Sequence, residues 1–147
     1  MKKLFLLLVP FSLLADIQPI IRFETHPTDW GRIKIDVYVE EQPAGYLEYH
    51  QILQTPRIYI DLFYINPEFR NKKIGTALMQ EALRQFEVQH CTEVVLCASP
   101  FGEGPRLDII TLMNFYKKFG FKTFDQSVPY DATYGGNMHK IIDYQLA

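Results

Sequence analysis

Arg70, Lys72 and Lys73 stand together just before the small pair Gly75-Thr76. The residues that follow predict a helix over Lys72–His90. Ile74, Leu78, Ala82 and Phe86 fall on one stripe, with Ala77, Met79 and Leu83 beside it. Asn71 is the expected N-cap. Cations in a first turn oppose the helix dipole, which favours negative charge at that end. A bound anion reverses the argument, because the free N–H groups of a helix start hold phosphate and the cations then add to the attraction. The same residues also fit a solvated basic turn, since surface charges cost little. Gly75 and Thr76 are small enough to let a ligand approach the backbone.

Composition narrows the other chemistry. The chain has 147 residues, 48% hydrophobic and 22% charged, which suits one domain with one core. A net charge of -2 gives no bulk drive toward nucleic acid or anionic membranes. Cys91 and Cys97 are too few for a disulfide scaffold. The strand expected between them would hold them beyond the reach of one bridge, so two free thiols are expected. The four histidines are scattered, with no CxxC or HExxH spacing, and no metal site is expected.

The remaining pattern supplies the frame. Ile20–Thr25 reads as a strand and His26–Gly31 as a turn. Arg32–Glu40 alternates with period two. Glu41–Gly45 reads as a hairpin connection, and Gly45–Leu53 and Arg57–Ile65 as two further strands. Glu93–Ala98 is a continuous apolar run, fit for a buried strand. Leu107–Phe119 reads as a second helix, closed by Gly120. Phe121–Phe124 and Met138–Gln145 complete the strands, with a Gly-, Pro- and Tyr-rich loop over Asp125–Asn137. The expected fold class is α/β (α+β): a mixed, mostly antiparallel central sheet with a right-handed β-α-β crossover.

Asn66–Leu78 (NPEFRNKKIGTAL) resembles the acetyl-CoA-binding motif of the GNAT (GCN5-related) N-acetyltransferases, Q/R-x-x-G-x-G/A. Arg70 matches its first position and Gly75 its second glycine, while Lys73 stands in place of the first glycine. Leu112–Phe121 (LMNFYKKFGF) is similar to the same family's L-x-x-F-Y-x-x-x-G-F ending. The family's frequent Asn seven residues before the Tyr is Ile109 here. The segment His26–Gly31 is too short for the helices that the family usually carries after its first strand.

The resemblance implies an N-acetyltransferase that moves an acetyl group from acetyl-CoA, as cosubstrate, to a primary amine of a small molecule or protein. It implies a pyrophosphate site made of Arg70, Asn71, Lys72, Lys73, Ile74, Gly75 and Thr76. It places the thioester near the backbone N–H of Ile65, and it makes Tyr116 the general acid. Asp61, expected on the same strand face as Ile65, is the first candidate for the base, with Glu48 as another. The loops Pro100–Arg106 and Pro129–Gly136 are expected to border the amine's entrance. An alternative from the same residues is a non-catalytic acyl-CoA-binding or exported interaction domain with this fold.

Residues 1–15 form a separate segment before a domain of residues 16–147. Lys2-Lys3 precedes the apolar run Leu4–Ala15, which has the shape of a signal peptide and implies export. Its other reading is a hydrophobic segment packed on the domain of a cytoplasmic protein. No stable membrane span is expected, because the run is too short.

Overall fold

The computed structural model describes residues 18–100, 108–124 and 138–143. Four strands come first: β1 (Ile21–Pro27), β2 (Ile33–Val39), β3 (Gln42–Gln51) and β4 (Arg57–Ile65). Each pairs antiparallel with the next. Helix α1 (Ile74–Val88) then leads to β5 (Glu93–Leu96), which lies parallel to β4. Helix α2 (Ile109–Lys117), β6 (Lys122–Thr123) and β7 (Met138–Ile141) follow. The strands form a single seven-stranded sheet in the order β1-β2-β3-β4-β5-β7-β6. The chain order and the mixed, mostly antiparallel sheet are those expected.

Alternation builds the sheet's two faces. In β2, Ile35, Val37 and Val39 are buried, while Lys34, Asp36 and Tyr38 are only half-buried on the other side. In β3, Leu47 and Tyr49 join the buried face. Helix α1 covers that face with Ile74, Leu78, Met79, Ala82 and Phe86. The Phe86 ring meets Tyr49 edge-on at 4.7 Å. Full burial of a side chain such as Leu78 or Phe86 stabilises by about 1.5–3 kcal/mol. Cys91 is buried and Cys97 exposed, and both are free thiols.

Several boundaries differ from expectation. The turn between β2 and β3 is Glu40-Glu41, both at positive φ (48° and 63°), so Gln42–Gly45 belongs to β3. Such a tight turn matches the twist of the strands it joins. Helix α1 starts at Ile74, two residues late, for a reason that lies in the turn before it. In α2, Ile109 and Ile110 are 42% and 68% exposed, so the buried face begins only at Leu112. Residues 1–15, most of the Pro100–Arg106 loop and the Pro129–Gly136 loop lie outside the described residues. Among the described residues, no helix is long and apolar enough to cross a membrane.

The ladder between β3 and β4 breaks step once. Tyr49 faces Ile60 and Glu48 faces Leu62, which leaves Asp61 as an extra residue. This is a β-bulge, and a bulge bends its strand and re-aims a side chain. The parallel pairing of β4 with β5 runs from Arg57–Glu93 to Ile60–Leu96 and ends beside the bulge.

At the other end of that pair, Glu93 ties three strands together. It accepts from Arg57 Nε at 2.6 Å and from His139 Nδ1 at 2.8 Å. Glu93→Gln puts an amide N–H against one of these donors. We expect a loss of about 1–3 kcal/mol in urea unfolding, with the far-UV dichroism unchanged.

Candidate functional site

Past Ile60 and Leu96 the two parallel strands separate, and a cavity of about 720 Å³ opens between them. One wall is β4 from Ile60 to Ile65, and the other is the chain from Leu96 to Pro100. Helix α2 supplies Thr111, Asn114, Phe115 and Lys118, spaced three or four apart along one helical face. The turn before α1 supplies the remaining side.

The β4 edge in this cleft is open. Asn66 N–H donates to Ala44 O at 2.8 Å, toward β3. Along an antiparallel strand the direction alternates, so the N–H groups of Phe63 and Ile65 point the other way, where β5 has departed. An extended ligand can pair with such an edge as a strand would.

The turn between Ile65 and α1 is built from unusual backbone. Pro67–Phe69 is one turn of 3-10 helix, and Arg70 is extended. Asn71 and Lys73 both lie in the left-handed region, at φ 58° and 62°. Lys73, not Asn71, is the N-cap of α1, and no side chain caps the helix. The expected Asn71 cap is therefore replaced by a backbone reversal. The N–H groups of Ile74, Gly75 and Thr76 have no partner four residues back. Ala77 N–H is the first to bond in the helical pattern, to Lys73 O at 3.0 Å. Successive N–H groups at such a turn form a concave anion site.

Arg70 joins the two parts. Its Nε donates to Ile65 O at 2.9 Å, and its guanidinium lies 5.7 Å from the Tyr64 ring. Arg70, Asn71, Lys73, Gly75 and Thr76 all line the cleft together with Ile65. Two expected members do not. Lys72 is exposed with its ammonium 5.9 Å over the Phe69 ring, and the Ile74 side chain is 2% exposed in the core. Ile74 can serve only through its N–H. A Cβ on Gly75 would meet Phe63, Ile65 and Phe115 at 3.5–3.6 Å, so this glycine keeps open a space that ordinary packing would fill.

Tyr116 reaches the cleft from α2 and is 5% exposed. Phe63, Phe115 and Phe121 surround its ring at 5.4–6.2 Å. Burial, and then negative charge on nearby Cys97, push its hydroxyl well above the usual phenol range. The group is therefore protonated at neutral pH, with an O–H that can donate into the cleft.

The sequence of residues 9–121 matches the model of the acetyltransferase (GNAT) family. The chain belongs to that family. No curated protein sequence matches it. Among solved structures, it is similar to the PaiA N-acetyltransferase of Thermoplasma acidophilum in complex with coenzyme A. There the identity is 22% and the TM-score 0.58, over 76% of this chain and 62% of that one. Ard1 of Thermoplasma volcanium gives 23% and 0.58, over 76% and 71%. An aminoglycoside 6'-N-acetyltransferase complexed with coenzyme A gives 16% and 0.59, over 80% and 76%. The chain thus spans under two thirds of PaiA's length, and at these identities the likeness is one of fold.

For this GNAT chain the cleft sorts the candidate bases. Asp61 lines it and Glu48 does not. The route differs from the one expected, however. Regular alternation puts Asp61 on the face of Ile65, whereas the bulge turns its carboxylate to the opposite face, toward His50. Cys97, Ser99, Asn114 and Lys118 also line the cleft and were not found by sequence reasoning. The four-residue spacing of Asn114 and Lys118 was the available signal. Among the described residues, no His, Cys, Asp or Glu cluster could hold a metal ion.

Two substitutions separate backbone from charge at the turn. Lys73→Gly relieves a left-handed lysine, and we expect about 1 kcal/mol of added stability in thermal unfolding. Gly75→Ala should leave the fold intact or raise its melting temperature. The same methyl should leave coenzyme A binding within about two-fold in calorimetry, because it makes only ordinary contacts and alanine is allowed at this motif position.

Proposed function

We propose that the protein is an N-acetyltransferase that uses acetyl-CoA to acylate a primary amine. One observation carries this reading: the open edge of β4 and the uncapped start of α1 face the same cavity. An extended pantetheine arm needs the first, and a pyrophosphate needs the second. Two structural neighbours were determined with coenzyme A, which supports the choice of ligand.

The residues divide the work. The N–H groups of Ile74, Gly75 and Thr76 hold phosphate oxygens, and Arg70 and Lys73 add positive charge. Lys73 replaces a motif glycine yet takes the left-handed backbone that suits glycine, so the anion site keeps its shape. The N–H groups of Phe63 and Ile65 hold the arm. That of Ile65 polarises the acyl carbonyl, where negative charge grows during attack. The neutral amine forms its bond to the acyl carbon as the C–S bond breaks. Tyr116, kept protonated by burial, supplies the proton to the departing sulfur. Asp61 takes the proton from nitrogen. In this scheme the acid and the base approach from different walls of the cleft, α2 and β4.

Calorimetry with acetyl-CoA tests the cofactor, and thiol release with a panel of primary amines tests the reaction. We expect saturable binding and amine-dependent release of free coenzyme A. Tyr116→Phe should retain binding and lose about 100-fold in turnover. Undiminished turnover would remove the acid role. Binding without thiol release on any amine would leave a ligand-binding domain instead of an enzyme.

A further inference from the structure

The Asp61 carboxylate is held from behind. His50 Nδ1 lies 2.7 Å from Asp61 Oδ2, and the side chains are 31% and 12% exposed. Asp61 lines the cleft and His50 does not. The imidazole stands on β3, on the face opposite α1, with its ring 5.6 Å from that of Tyr59. An ionised carboxylate at this distance selects the tautomer with the proton on Nδ1, so His50 donates.

A competitor is close. Arg32 Nε lies 3.6 Å from the same Oδ2, and Arg32 Nη1 lies 3.8 Å from Glu48 Oε2. Both separations exceed a hydrogen bond. The guanidinium is thus an ion-pair neighbour of Asp61, while the imidazole makes the short directional contact. The imidazole and the guanidinium both approach Oδ2.

The geometry points to His50 as a positioning residue for acyl transfer. It fixes Asp61 through Oδ2, so that Oδ1 serves the amine. This rests on the acyl-transfer reading above. In the step itself the amine nitrogen bonds to the acyl carbon and the C–S electron pair stays with sulfur. The nitrogen gives its proton to Asp61 Oδ1, and the sulfur takes one from Tyr116. Without His50, the carboxylate is free to turn onto Arg32, which draws Oδ1 away from the amine.

The test uses the full chain, acetyl-CoA and concentrated methylamine, an acceptor too small to depend on specificity contacts. His50→Phe should lower kcat by about ten-fold or more and leave the KM for acetyl-CoA unchanged. His50→Asn, whose amide N–H can stand in for Nδ1–H, should recover most of the loss. Turnover of His50→Phe at the wild-type rate overturns the role, and so does an equal loss in His50→Asn. Nitrogen-15 NMR of the wild-type imidazole provides a readout independent of variant folding: a proton on Nδ1 is expected, and a bare Nδ1 overturns the proposal. Wild-type protein that binds acetyl-CoA but accelerates acetylation of neither methylamine nor any amine of the panel sinks the acyl-transfer reading itself. Loss of the His50 effect alone sinks only the positioning role.

Discussion

Between Tyr49 and Glu48 the ladder joining β3 to β4 slips by one residue, and Asp61 is the residue left over. A regular β4 would continue beside β5, and its backbone groups would be used up in the sheet. The extra residue bends the strand at the point where the parallel pairing ends. The strand side of the cleft follows from that bend. The N–H groups of Phe63 and Ile65 are released, α2 can bring Tyr116 into the gap, and Asp61 is swung to the face occupied by His50 and Arg32. A buried unpaired backbone group costs free energy, so the opening is stable only because it is wide enough for a ligand or solvent to satisfy those groups.

The start of α1 shows a second constraint, which acts at short range. The chain must leave β4, reverse, and present three N–H groups to one place. It does so with two non-glycine residues in the left-handed region, Asn71 and Lys73. Such a conformation costs a lysine about 1–2 kcal/mol. The turn persists because Arg70 is anchored to Ile65 O and because the Ile74 side chain is locked in the core. The same anchors place Arg70 and Lys73 in the cleft and leave Lys72 outside it.

The cleft separates its ionisable groups by environment. Tyr116 is enclosed by aromatic rings, and the loss of solvent keeps it neutral. Asp61 sits among polar partners on another wall, with an imidazole at 2.7 Å and a guanidinium at 3.6 Å from Oδ2. The two groups thus face the cleft from an apolar wall and a polar one.

Local spacing and residue type were enough to reveal the chain order of strands and helices, the stripe on α1, the basic turn before it and the two motif segments around Arg70–Gly75 and Phe115–Phe121. These features depend on neighbours within a few residues, where backbone geometry fixes which side chains share a face. Other features depend on register between distant segments, which alternation cannot count. A strand read by period two has no room for an extra residue, so Asp61 appeared to share a face with Ile65. The partner of its carboxylate, His50, lies eleven residues away on another strand. Asn71 looked like an N-cap by type, yet the anchoring of Arg70 and Ile74 moved the cap to Lys73. The sequence by itself determined that a helix opening on basic residues follows a central strand. Only the tertiary structure decided that this strand carries a bulge, because a slip in pairing exists between two strands and in neither one alone.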